Sequence, residues 1–260
     1  MGHRLLRGKG RPHSSEGRER VCLQCGRSPR EHHAANAPYY YQQSGQSDRR
    51  CNAQSGNGQA LSKGCKPIRN VVVLSDEIYS HMLYDARACV VLQYDHMRDR
   101  TIMLDGWSKT YAMTGWRLGF AVWPKSIADT ATRLAINCHS CVNAPTQFAG
   151  IAALEGPHDQ VTTMVQAFDE RRKVIVPALN QIPGFSCVDP GGAFYAFPNI
   201  TGTGMSAREL QDKLLTEAGV ATVAGTSFGD FGEGYIRFSY ANSVENIEKA
   251  IDKIKELLRG

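Results

Sequence analysis

The hydrophobic periodicity of this chain changes near residue 70, and that change decides what it can fold into. Before it, no apolar repeat lasts even two helical turns; from Val71 onward strand-like and helix-like segments alternate as in an α/β protein. Residues 71–74 form a β-branched run suited to a buried parallel strand, and residues 101–104 and 119–123 predict two further strands of one sheet. Residues 126–154 read as mostly helical with an interruption at Asn143-Ala144-Pro145. A long connecting helix is expected over 158–180, stopped by Ile182-Pro183-Gly184. Short strands are expected at 185–188, 193–197, 220–223 and 235–239, with helices at 206–218 and 243–258. In the last helix Ser243 is the expected N-cap, Glu245 and Asn246 lie in the first turn, and Ile247, Ile251, Ile254 and Leu258 share one face. The chain thus divides into an aperiodic segment at 1–70, part of a large α/β domain at 71–165 and a small α+β domain at 166–260.

The aperiodic segment also concentrates the positive charge. It holds 13 Lys/Arg against 4 Asp/Glu, so the net +5 of the chain belongs to one end and the remainder is acidic. Its basic residues are interleaved with Gly, Ser and Gln and make no helical face with aromatics, which argues against a nucleic-acid partner. Cys22-x-x-Cys25 followed by His32 and His33 matches no finger spacing, so no metal is expected. Cys89, Cys138, Cys141 and Cys187 sit in apolar or helical contexts and read as small buried hydrophobes. No apolar run reaches the roughly 18 residues of a membrane span, and no apolar stretch follows the basic N-terminus. A cytoplasmic chain with no membrane partner is the expectation.

Two motifs carry chemistry. Asp76 ends the first strand of the sheet, at the carboxyl edge where open α/β folds bind ligands, although an ordinary strand-end aspartate capping a turn has the same appearance. Directly after residues 101–104 comes Gly106-Trp-Ser-Lys109-Thr-Tyr-Ala-Met-Thr-Gly-Trp-Arg117. A lysine and an arginine eight residues apart, separated by small and turn-forming residues at a sheet edge, call for an anionic ligand.

Ser75-Asp76-Glu77-Ile78-Tyr79 and the Lys109–Arg117 motif, in this order and at this separation, resemble the cofactor-binding core of the class I/II aminotransferases, the aspartate aminotransferase family. The similarity continues through Pro190-Gly-Gly-Ala-Phe-Tyr195 and Tyr235-Ile-Arg237-Phe-Ser-Tyr240, so it covers residues 71–260. It implies a partial fold type I transferase: a fragment of the large-domain sheet, which binds pyridoxal 5'-phosphate, plus the small C-terminal domain. It also implies an enzyme that transfers an amino group between an amino acid and a 2-oxo acid. Pyridoxal phosphate provides the electron sink that makes loss of the substrate Cα proton feasible. By the resemblance, Lys109 forms the resting Schiff base and then serves as general acid and base. Asp76 pairs with the pyridinium nitrogen, Tyr79 donates to the phenolate oxygen, Arg117 holds the phosphate, and Arg237 grips the substrate carboxylate. Gly106 stands where family members often carry a phosphate-binding serine, and Ser108 is the candidate replacement. A lyase or cyclopropane-forming synthase on the same fold shares Asp76, Lys109 and Arg237, and a non-catalytic remnant keeps the fold without turnover.

The family also needs, upstream, a Gly-rich turn, an aromatic stacked on the ring and an Asn-Pro-Thr-Gly motif, and residues 1–70 contain none of them. The family is homodimeric, but the elements that lend residues across that dimer are among those missing, so poor dimerisation is expected of this chain. Read from the second base of each codon, Tyr39-Tyr-Tyr-Gln-Gln-Ser-Gly-Gln-Ser-Asp-Arg-Arg-Cys51 permits Ile-Ile-Ile-Asn-Ser-Pro-Ala-Asn-Pro-Thr-Gly-Gly-Val. That is a strand followed by the missing motif, beginning in place of Gln46, some thirty residues before Asp76. Residues 1–70 are therefore read as out of frame or disordered. Sequencing the gene is expected to find wobble bases at Gln46–Arg50 that spell Asn-Pro-Thr-Gly in the shifted frame; incompatible bases there would sink this reading.

Overall fold

The structure is a computed structural model and describes residues 39–42, 51–52, 55–56, 72–84 and 90–259. Cys22, Cys25, His32, His33, Cys65 and Cys89 lie outside these residues, as does Gln46. Strand β1 (Tyr39–Gln42) is followed by a short antiparallel pair, β2 (Cys51–Asn52) and β3 (Ser55–Gly56), then by β4 (Val73–Asp76), β5 (Thr101–Gly106) and β6 (Gly119–Val122). One sheet runs β1-β4-β5-β6: the first three strands are parallel and β6 is antiparallel to β5. The register aligns Gln42 with Asp76 and Asp76 with Leu104, so the carboxyl ends of the parallel strands fall at one edge.

Helix α1 (Trp107–Thr110) is a single turn joined directly to β5, and α2 (Lys125–His139) and α3 (Ala144–Glu155) follow β6. The break between these last two is set by Asn143, whose side chain accepts from the Thr146 N–H at 3.0 Å and starts α3. Then come α4 (Asp159–Asn180), β7 (Tyr195–Ala196), α5 (Ala207–Thr216), β8 (Val223–Ala224), β9 (Ile236–Ser239) and α6 (Val244–Arg259). β9 lies between β7 and β8 in a three-stranded antiparallel sheet. Ser206 and Glu209 close a reciprocal capping box on α5. Ser243 Oγ accepts from the Asn246 N–H at 3.2 Å, capping α6 where its sequence places the cap.

The main core lies under α4, α5 and α6. Phe168, Ile175, Val176 and Leu179 of α4 meet Leu210 and Leu214 of α5, Ile236 and Phe238 of β9, and Ile247, Ile251 and Ile254 of α6. Tyr79 and Met82, which follow β4, are buried in the same cluster and tie the parallel sheet to it. Burial of each large aliphatic chain contributes roughly 1.5–3 kcal/mol.

Three expected strands differ, each for a local reason. Residues 185–188 form no strand: the Asn180 side chain accepts from Cys187 N–H (2.7 Å) and donates to its carbonyl (3.0 Å), satisfying the backbone that a strand neighbour would pair. Only the isolated bridge Ser186–Asn199 remains. The strand expected at 220–223 begins at Val223, because the Val220 N–H donates to Leu214 O after Gly219 turns left-handed at φ +66°, closing the end of α5. The strand expected at 193–197 shrinks to two residues because Ala193 is itself left-handed. Cys187 is buried as expected, but Cys138 and Cys141 are exposed: Cys138 lies on α2, which buries none of its residues, and Cys141 in the loop that follows it.

Several large apolar side chains stay uncovered. Phe120 and Val122 of β6 and Phe148, Ile151 and Leu154 of α3 are exposed. Among the described residues, no helix is long and apolar enough to cross a membrane. In chemical denaturation, Leu179→Ala, at a fully buried position, is expected to lose about 2–5 kcal/mol. Phe148→Ala, at a position 73% exposed, is expected to change stability by less than about 0.5 kcal/mol.

Candidate active site

The carboxyl edge of the sheet carries a group of acids. Asp76 closes β4, and its Oδ1 accepts from the Ile78 N–H at 3.2 Å, forming the turn that presents Tyr79. Glu77, 2% exposed, accepts from Ser75 Oγ at 2.6 Å. Asp105, near the end of neighbouring β5, accepts from the Gly106 N–H at 2.7 Å.

Gly106 lets β5 run into α1. A Cβ there would lie 2.9 Å from the Leu118 carbonyl oxygen and 3.0 Å from Gly119 Cα, so the start of β6 crosses too closely for any side chain. Trp107 anchors the turn through Nε1 to Gly150 O at 3.0 Å. Lys109 then projects so that its Nζ lies 5.4 Å from the Phe194 ring centroid and 5.9 Å from that of Tyr79, within cation–π range of both.

Phe194 and Tyr195 arrive from the other sheet on a locked turn. Ala193 has φ +57°, its N–H donates to Met82 O at 2.8 Å, and its carbonyl accepts from Tyr240 Oη (3.1 Å) and from Tyr84 Oη. Arg172 pairs with Asp169 at 2.7 Å, donates to Pro190 O at 3.1 Å and lies over the Tyr84 ring. Tyr79 Oη donates to Tyr195 Oη at 3.1 Å. Burial pushes the Tyr79 phenol well above the usual tyrosine range, and the Tyr195 bond pushes the same way, so Tyr79 keeps its proton. The Arg237 guanidinium lies 4.3 Å from the ring centroids of both Tyr195 and Phe228.

The fold thus gathers Tyr79, Lys109 and Arg237 around Phe194 and Tyr195, with Asp76 close enough to Tyr79 to affect its ionisation. Arg117 is not gathered: it is exposed and left-handed (φ +56°), and its Nη1 donates to Thr114 O of its own turn at 2.9 Å. Ser108 shares the turn of Lys109 without joining the described cluster. Phe228, in the 3-10 turn Gly225–Phe228 after β8, was not singled out from its sequence motif. The one signal was two aromatics among glycines in Ser227-Phe-Gly-Asp-Phe-Gly232. The donor set of one amine, one protonated phenol, one carboxylate and one guanidinium matches the groups that pyridoxal phosphate and an amino acid substrate present.

Residues 63–254 match the family described as aminotransferase class I and II. The aspartate aminotransferase of Pyrococcus horikoshii is 42% identical over 194 residues, which are 74% of this chain and 49% of that protein. Among solved structures, an aromatic aminotransferase from Pyrococcus horikoshii OT3 superposes with a TM-score of 0.70 at 40% identity, covering 73% of this chain and 51% of that one. The aspartate aminotransferase from Rhizobium meliloti gives 0.74 at 28% identity, over 85% and 57%. The chain spans about half the length of the curated relatives it matches.

Burial is the main reason that the Glu77 and Asp105 carboxyls are both pushed up. Asp105 and Asp76 add to the rise at Glu77, while the Ser75 bond opposes it. A carboxyl whose folded pKa exceeds its unfolded value costs stability at high pH, and that cost fades as pH falls through the folded pKa. Glu77→Gln is therefore expected to match or exceed the parent's urea midpoint at about pH 8, with its relative advantage shrinking as the pH is lowered. A variant weaker than the parent only at high pH would reverse the sign.

Proposed function

Since the chain belongs to the class I and II aminotransferase family, we propose that it moves an amino group between an amino acid and a 2-oxo acid, with pyridoxal 5'-phosphate held by Lys109. The observation that carries this is the convergence of Lys109, Tyr79 and Arg237 on one aromatic wall. When bound, the cofactor supplies the electron sink for the pair left at the substrate Cα.

The chain's own residues supply the rest. With the cofactor bound, Lys109 would hold it through Nζ, and the same amine would be the group placed to carry the substrate Cα proton. Asp76 would pair its carboxylate with the ring nitrogen of the bound cofactor and favour that nitrogen's protonated form. Tyr79, kept protonated by burial, offers an O–H to the ring oxygen. Arg237 takes the substrate carboxylate in a two-pronged grip that fixes the Cα–H bond for removal. Phe194 and Tyr195 exclude water from beside Lys109, where a drier surrounding strengthens each charge interaction. Arg117 and Ser108 are the phosphate ligands available here, and Arg117 must leave Thr114 O to serve.

A non-catalytic remnant is the second reading. It is favoured by Arg117, whose side chain bonds within its own turn and does not join the Lys109 cluster. Adding pyridoxal phosphate to the purified chain separates the two. The enzyme reading expects an absorption band that is absent from Lys109→Ala, together with amino transfer to 2-oxoglutarate. No lysine-dependent band would exclude the enzyme reading.

A further inference from the structure

We infer that Tyr195 is a positioning residue that couples the two ends of the site: its ring seats the carboxylate-binding Arg237, and its hydroxyl sets the donor state of Tyr79. This rests on the aminotransferase reading.

The backbone register explains why one side chain reaches both. β7 and β9 pair Tyr195 with Ser239, so Arg237, two residues along β9, projects from the same sheet face as Tyr195 on the diagonal. Diagonal neighbours of an antiparallel pair touch when one is aromatic and the other long, and the guanidinium accordingly lies 4.3 Å from the Tyr195 ring centroid. Ala196, the next residue, points the opposite way and is fully buried. Tyr195 therefore cannot turn into the core, and its hydroxyl stays at 3.1 Å from Tyr79 Oη.

A phenol donates one hydrogen bond and accepts two. In this structure Tyr79 donates and Tyr195 accepts. When Tyr79 points its O–H at a ligand oxygen, Tyr195 can rotate its own O–H toward Tyr79 and keep that buried oxygen bonded. Such a chain of two hydroxyls strengthens the outer bond. Arg237 sits over the same ring, so a carboxylate drawn to the guanidinium holds the ring that carries the relay. Phe228 covers Arg237 equally closely but reaches neither Tyr79 nor Lys109 through any described contact.

Two variants of the full chain separate the ring from the hydroxyl. Tyr195→Phe keeps the ring; Tyr195→Leu removes both. Succinate binding to the cofactor-free chain, followed by the Arg237 side-chain NMR signal, is expected to be unchanged within about twofold in Tyr195→Phe and weakened about three- to tenfold in Tyr195→Leu. With pyridoxal phosphate added, the pH midpoint of the Lys109-dependent absorption is expected to rise by roughly 0.5–1 unit in Tyr195→Phe.

An unmoved or lowered midpoint in Tyr195→Phe overturns the coupling, as does succinate affinity indifferent to loss of the ring. If Tyr195→Leu does not fold, as judged by its melting curve, the Tyr195→Phe titration alone decides. If the parent itself has no Lys109-dependent band, the aminotransferase reading has failed and the relay falls with it. A band in the parent with no response in the variants overturns only the role of Tyr195.

Discussion

The site depends on one backbone carbonyl. Ala193 O receives hydroxyls from Tyr84, which follows β4, and Tyr240, which follows β9, and the two hydroxyls are themselves 3.3 Å apart. A carbonyl has two lone pairs, so both donors are satisfied at once. Burial raises both phenols, Tyr84 to about 12 and Tyr240 further, so both remain donors at ordinary pH. Loss of either hydroxyl would remove one hydrogen bond to the carbonyl, at about 0.5–1.5 kcal/mol. The same knot keeps Ala193 left-handed, and so aims Phe194 at Lys109 and Tyr195 at Arg237. Segments more than a hundred residues apart in sequence thereby share one rigid frame.

What could be read from the chain in advance was whatever is written in local spacing. The isoleucines of α6 repeat at helical intervals, and all three are buried. The β-branched run before Asp76 placed a strand there, though it forms two residues later than its most apolar stretch. The motifs containing Tyr79, Lys109 and Arg237 named residues that the fold does bring together. The failures were non-local. Asn180 replacing a strand partner for Cys187, and Phe228 folding over Arg237, both require knowing which distant segments meet. Arg117 is the opposite case: its motif is plain in sequence, yet its side chain bonds within its own turn.

The two sheets are finished to different degrees. The antiparallel one has α4, α5 and α6 over a continuous apolar core, while β6 exposes Phe120 and Val122 at the far side of the parallel one. Strand edges and uncovered apolar faces are where chains associate with whatever is available. The architecture around Arg237 is thus self-sufficient in packing, and that around Lys109 leans on it through Tyr79 and Met82.

Gly106 limits what this arrangement can accept. With the backbone at Leu118 and Gly119 pressed against it, a serine at this position would have to push two hydrogen-bonded strands apart before its hydroxyl could be of use. For any side chain to fit here the strand crossing would have to loosen first, and the Lys109 turn hangs from that crossing. A hydroxyl already stands two residues on, at Ser108, in a turn that needs no such rearrangement.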